Sequence, residues 1–246
     1  MADVALGTMA GSIRQDFLAR MDAEPQMAER VHLVRSGCKR VLAVLALGPA
    51  VPGLREAVRR IHRSLGEIRD RDIRAMLRGQ PCPSEGSRKA ARRWEEARAA
   101  FGALPLDRAP TMPAEAATAA HGAQLRRVAA QAERVFERPG GRRLHELRKL
   151  AKAWLHQADA LQPLPERGAE ASPLRAGLLT VESRLGKAND LRLVPGARKE
   201  RRKARRKALR RLQALRPALQ AAASVHEVAR KGNGPDAGIP ASEVIP

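Results

Sequence analysis

Two stretches decide how this chain reads: VHLVRSGCKRVLAVL at residues 31–45 and LHELRKLAKAWLHQA at residues 144–158. Both contain His-x-x-Arg-x-x-x-Lys, as His32, Arg35 and Lys39 in the first and His145, Arg148 and Lys152 in the second. A helix advances by about 100° per residue, so positions i, i+3 and i+7 fall within about 60° of one another. Each triplet therefore forms one stripe. Arg40 widens the first stripe, Lys149 flanks the second, and His156 extends the second by a turn. On the same wheels Val34, Val41 and Leu45 lie opposite the first stripe, and Leu147, Leu150 and Trp154 face away from the second. Each segment is expected to bury one face and to present a row of cations on the other.

About forty residues beyond each stripe comes a second echo. LGEIRDRDI at 65–73 pairs with LGKANDLRL at 185–193, sharing Leu-Gly and then an aspartate, Asp70 or Asp190. The two anchors keep their order and nearly their separation, which points to duplication of one four-helix unit. Elsewhere the apolar residues recur at helical spacing and no stretch alternates like a strand. Helices are predicted over roughly 3–22, 26–47, 52–78, 86–103, 114–137, 141–161, 171–193 and 196–229. They are separated by turn chemistry such as Gly48-Pro49, Gly79 to Pro83, Leu104 to Pro113, Pro139-Gly140 and Gln162 to Pro165. The expected fold is all-α, two four-helix bundles related by a pseudo-twofold internal duplication. A single domain over 1–230 has halves of about 1–110 and 111–230, and 231–246 reads as a disordered tail.

The formal net charge is +21, from 47 Lys and Arg against 26 Asp and Glu, and such a field attracts anionic polymers. Arginine dominates, and its planar fork grips phosphate oxygens in pairs where lysine offers a point charge. Phe17, Phe101, Phe136, Trp94 and Trp154 are the whole aromatic set, with no tyrosine. Proteins that hold single-stranded nucleic acid stack bases on such rings, so the composition favours a ligand made of charge without bases. Cys38 and Cys82 are too few for a disulfide framework or a zinc site and fit a reducing cytoplasm. The N-terminus lacks a basic n-region followed by an apolar h-region. The longest apolar stretch, around Val41 to Leu54, is too short and too broken by Gly and Pro to span a bilayer.

A charge run is most often a solvated helix face. Recurrence of three residue types in one register in both halves argues for a ligand instead. Like charges stacked along a helix are destabilising, and an anion would relieve them. His32 and His145 sit among cations that disfavour their protonated forms, yet neutral imidazoles still donate one N–H to a phosphate oxygen. His62, His121 and His226 have no matching setting and read as incidental. A further basic run, RKERRKARRKALRRL at 198–212, places Lys199, Arg202 and Arg206 on an outer face while Leu209 and Leu212 pack inward. Neither stripe offers an activated nucleophile with an orienting partner, and no P-loop, HExxH or paired carboxylates occur. No catalytic residue, metal or cofactor is expected, and the chain reads as a binding protein, not an enzyme.

VHLVRSGCKR, LGEIRDRD, LHELRKLAK and LGKANDLRL, in that order and spacing, resemble the CHAD family, the conserved histidine α-helical domain. The resemblance covers nearly the whole chain except its last fifteen or so residues, without an adjoining triphosphate-processing domain, as in a stand-alone version. It implies two helical bundles whose basic helices converge on a central groove, binding of inorganic polyphosphate, and recruitment to polyphosphate granules in the cytoplasm. It also implies that His32, Arg35, Lys39, Arg40, His145, Arg148 and Lys152 face the ligand, with Arg69 contributing. The competing reading is a basic helical protein that binds nucleic acid non-specifically through charge alone.

Overall fold

The computed structural model describes residues 2–162 and 173–232. The chain begins with a short strand, β1 (Asp3–Ala5), followed by α1 (Leu6–Ala23), α2 (Met27–Leu45), α3 (Leu54–Ser64), α4 (Gly66–Met76) and α5 (Arg88–Gly102). After a 3-10 turn at Leu106–Arg108 come β2 (Thr111–Pro113), α6 (Ala114–Glu137), α7 (Gly141–Leu161) and α8 (Pro173–Asp190). A second 3-10 turn at Leu191–Leu193 leads into α9 (Arg198–Gly232). The all-α class is as expected from the periodicity.

Helix follows from spacing in each case. In α2 the residues Val31, Val34, Cys38, Val41 and Leu45 recur at three- and four-residue intervals, and each is at most 3% exposed. Gly37 in the middle of this helix looks like a helix breaker. A Cβ there would stand 2.8 Å from Phe101 Cζ and 3.1 Å from Phe17 Cγ, so only glycine lets α1 and α5 close over α2. α5 is capped at its start by Ser87, whose hydroxyl accepts from the amide of Ala90.

The buried apolar residues fall into two clusters. The first gathers α1 to α5 around Phe17, Val34, Val41, Trp94 and Phe101, and takes in Ala117 of α6 and Leu161 of α7. The second gathers α6 to α9 around Val128, Leu147, Trp154, Leu178 and Leu212. α6 and α7 thus contribute to both. Gln157 fastens the junction: it is 2% exposed, its Nε2 donates to the Ala43 carbonyl on α2 at 3.1 Å, and its Oε1 lies 3.4 Å from His121 Nδ1. The His121 ring stacks on Trp154 at 5.1 Å between centroids. That is a packed core role for a histidine with no counterpart in the first half.

Three local expectations are corrected. Residues 3–5 are not helical but pair antiparallel with 111–113, Val4 opposite Met112. Val4 is 2% exposed, so this two-stranded ladder ties the N-terminus over the first cluster. The helix expected over 52–78 is two helices broken at Leu65, whose φ of −95° and ψ of 5° leave the α region. The last turn of 171–193 tightens to a 3-10 turn. α9 runs through Gly232, two residues into the segment read as tail. Positions 233–246, and the Pro163–Pro165 part of the turn after α7, lie outside the described residues.

Candidate functional site

The stripes of α2 and α7 meet because these two helices pack against each other across the junction. Val34 and Val41 are fully buried beneath the first stripe, as are Leu147 and Trp154 (0% and 5% exposed) beneath the second. The opposite faces therefore turn toward a shared space. Lys39 is the clearest marker of what happens there. It is half-buried and, among the described residues, forms no ion pair or hydrogen bond. Burial, followed by the charges of Lys152, Arg35, Arg148 and Arg69, drives its pKa down from 10.5 to about 7. Four cations from α2, α4 and α7 thus surround a fifth with no acidic partner of its own.

The histidines report the same field. His156, which extends the second stripe, is held down at about 4 by burial, then Lys152 and Arg40, and both of its ring nitrogens are buried without hydrogen-bond partners. His32 keeps contact with solvent. Its pKa is lowered by partial desolvation, opposed by Glu29, and lowered again by Lys39, Lys152 and Arg69. Its Nε2 lies 3.2 Å from Ser36 Oγ. His62 was read from sequence as incidental and is not. It is half-buried behind Arg35, Nη1 of which donates to the His62 carbonyl, and its imidazole is held at about 3 by burial, then by Arg35 and Lys39. The only signal for it in the sequence was its place three residues before the Leu65-Gly66 break.

The arginine of each His-x-x-Arg-x-x-x-Lys triplet lies close to the glycine of a Leu-Gly pair. A Cβ on Gly66 would be 3.6 Å from Arg35 Nη1, and one on Gly186 would be 3.2 Å from Arg148 Nη2. The glycines thus leave room for each guanidinium against the neighbouring helix. The acidic residues are arranged unevenly. Arg69 is held by Asp70 (3.0 Å) and by Asp190 (2.7 Å). Burial works against its charge, but the hydrogen bonds to the two aspartates outweigh it and hold its pKa above the usual value. Glu182 on α8, 12% exposed, stands 3.0 Å from Arg148 and 3.6 Å from Lys152. The Arg148 contact is an ion pair without hydrogen-bond alignment, since Glu182 Oε1 and Arg148 Nε both lack a hydrogen-bond partner. Glu182 carried no sequence signal, because it belongs to neither anchor.

The remaining expected residues lie further out. Arg40 leans over the Phe17 ring at 5.4 Å while still facing His156. Lys149 is exposed and paired with Glu146 at 2.8 Å. His145 is exposed one turn before Arg148 and lines a separate cavity with it. Lys199, Arg202 and Arg206 line a third cavity near Pro139 and Leu144, joined to the His145 cavity through Arg205, which lines both. The structure thus brings together His32, Arg35, Lys39, Arg69, Arg148, Lys152 and His156, with His62 added. It sets His145 at one end and the α9 cations beyond it.

Such a site can hold oxygen anions: it offers guanidinium forks, ammoniums and imidazole N–H groups, and its internal repulsion is relieved by negative charge. Among the described residues no three His, Cys, Asp or Glu side chains are grouped to hold a metal ion. No helix of the described residues is long and apolar enough to cross a membrane.

A family model, the CHAD domain, matches residues 83–196. That span runs from the end of the Pro-rich turn before α5 through the second Leu-Gly anchor, and so contains the whole second stripe. Comparison with curated proteins and with solved structures gives no match.

Proposed function

We propose that this chain, of which residues 83–196 match the CHAD domain model, is a non-enzymatic binder of inorganic polyphosphate, held in a trough between α2 and α7. The observation that carries the reading is Lys39. Among the described residues it is a cation without an acidic partner, set among Arg35, Arg69, Arg148 and Lys152 from separate parts of the chain. Folding pushes these charges together at a cost that a linear polyanion would offset. Arginine forks and lysine ammoniums would replace the polymer's counterions, so affinity should fall steeply with salt. Association with polyphosphate granules in the cytoplasm would follow from the same contacts.

The geometry disfavours the nucleic-acid alternative at one specific point. Phe17, Phe101, Trp94 and Trp154 are each at most 5% exposed, and half-buried Phe136 lies under Arg216, so no ring is free to stack on a base. The deciding experiment is binding of long-chain polyphosphate at two salt concentrations, with single-stranded DNA and orthophosphate as competitors. Wild type is compared with Arg35→Ala/Arg148→Ala. Preference for polyphosphate that is lost in the double variant supports the trough. Equal competition by DNA, or an unaffected variant, overturns it.

A further inference from the structure

Beside the second stripe lies a cavity of about 390 Å³ whose charged lining is cationic, Arg142, Arg148, Arg192 and Arg205, joined by the polar side chains of His145 and Asn189. Among the described residues no acidic side chain lines it. Its size falls in the range of small-ligand sites. Three elements build it. The start of α7 supplies Arg142, His145 and Arg148; the end of α8 and the following 3-10 turn supply Asn189 and Arg192; α9 supplies Arg205.

The duplication shows that this pocket is peculiar to the second half. Three residues before His145 stands Arg142, but three residues before His32 stands Glu29. Seven residues past Leu185 stands Arg192, but seven past Leu65 stands Asp72, which is 3% exposed and accepts from the Ser84 amide at 3.0 Å. At the corresponding places the first half is acidic and the second is basic.

Two further observations point to an anion. The α7 N-cap, Gly140, makes no side-chain cap hydrogen bond, and Gly141 at the first turn forms part of the cavity wall, so the helix offers its first-turn amides to the same space. Arg205 also approaches closely: a Cβ on Gly141 would stand 3.1 Å from its Nη2. Burial and the charge of Arg201 hold Arg205 below the usual arginine range, a repulsion that an anion would relieve. Arg148 lines the cavity and also faces Lys39, so pocket and trough are continuous through one side chain.

We propose that this pocket is a discrete site for the terminal phosphates of a polyphosphate chain, so that a short linear oligophosphate occupies it alone. The proposal rests on the polyphosphate reading above, shares Arg148 with the trough, and adds Arg142, Arg192 and Arg205, which the trough does not need. It gives the site polarity: a chain lies along α2 and α7 with its end seated between α7, α8 and α9. The cavity offers no aromatic ring for a base, so a free phosphate chain is the source expected, not a nucleotide.

The test uses tripolyphosphate, ATP and long-chain polyphosphate on the full chain, with calorimetry as readout. The pocket variant is Arg142→Glu/Arg192→Asp, which installs the first-half residues. Both positions are exposed, and a glutamate in the first turn of α7 suits the helix dipole. Arg142→Gln/Arg192→Gln provides a milder second variant, and thermal melting checks the fold of each. Arg35→Ala, which does not line the pocket, is the trough variant. Wild type should bind tripolyphosphate at one site and ATP at least about tenfold more weakly, or about 1.4 kcal/mol. The pocket variants should lose tripolyphosphate by a similar factor, while Arg35→Ala changes it little and weakens the long chain. Tripolyphosphate binding that ignores positions 142 and 192, or falls equally with Arg35→Ala, overturns the pocket. ATP binding as tight as tripolyphosphate overturns its assignment to free chains. Tripolyphosphate binding that depends on 142 and 192 without any long-chain binding would sink the trough and leave the pocket standing.

Discussion

Arg69 and Asp190 lie 121 residues apart in the chain, yet Arg69 Nη2 stands 2.7 Å from Asp190 Oδ1. This contact joins the two halves at the anchors they share. It also occupies a guanidinium that faces Lys39 and His32. The carboxylate and a polyanion would therefore compete for one cation.

Asp190→Ala separates the two roles of that contact. With side chains 22% and 27% exposed, the ion pair is partly buried, and its loss should lower stability by about 1–3 kcal/mol. For a chain of this size that is a fall of roughly 2–4 °C in Tm per kcal/mol. Polyphosphate affinity should rise, because Arg69 is released. Thermal melting and a binding titration on the same variant check both signs, and weaker polyphosphate binding would refute the competition.

Glu182→Gln tests the other acidic brace. Glu182 faces Arg148 at 3.0 Å and Lys152 at 3.6 Å, so a neutral side chain of the same shape leaves two half-buried cations without counter-charge. The ligand-free variant should lose about 1–3 kcal/mol. Polyphosphate supplies the missing charge, so the melting shift it causes should be larger in the variant than in wild type. An equal shift would mean that the polymer does not reach Arg148 and Lys152.

Much of this arrangement was legible from residue spacing. The wheel that set His32, Arg35 and Lys39 opposite Val34, Val41 and Leu45 holds because a helix that buries one face must expose the other. Residues whose place depends on contacts between distant elements were not legible. His62 joins the site only because Arg35 reaches across α3, and Glu182 only because α8 packs beside α7. The same limit explains α3 and α4. Local periodicity runs continuously over 52–78 and does not register that an arginine from another helix lies across Gly66. The β1–β2 ladder was likewise invisible, since a pair of three-residue strands has no measurable period and was fixed by burial of Val4.

The two Leu-Gly glycines should respond differently to alanine. Inside a helix, as at Gly186, Gly→Ala is worth up to about 1 kcal/mol in favour of alanine, and less at the first residue of one, as at Gly66. At Gly66 the new Cβ would meet Arg35 Nη1 at 3.6 Å, an ordinary contact. Gly66→Ala should therefore leave stability unchanged or raise it by about 0.5 kcal/mol. At Gly186 the contact with Arg148 Nη2 would be 3.2 Å and that with Nε 3.3 Å. Arg148 is held by Glu182 and can move only by loosening that pair. Gly186→Ala should lower polyphosphate affinity several-fold, about 1 kcal/mol, with little change in helix content. Circular dichroism alongside binding distinguishes this from unfolding.

Lys39 predicts the pH dependence of the trough. Its pKa in the folded protein is about 7, against 10.5 ordinarily. Between these values the unfolded chain holds a proton that the folded one has released, so ligand-free stability should rise as pH climbs from about 7 to about 10.5. Binding reverses the balance. A polyanion beside Lys39 favours the ammonium form, so the complex takes up a proton above about pH 7 that the free protein does not carry. Affinity should be greatest at and below neutrality and fall as pH rises, by at most about tenfold per pH unit for one proton. Arg35, Arg69, Arg148 and Lys152 are the cations that face Lys39 from the packed helices, and His62 and His156, held at about 3 and about 4, titrate below this window. Lys39→Arg keeps the charge without the titration, so it should bind at pH 9 nearly as well as at pH 7. Dissociation constants at fixed ionic strength across that range decide the matter. The same slope in wild type and Lys39→Arg would assign the proton to another group.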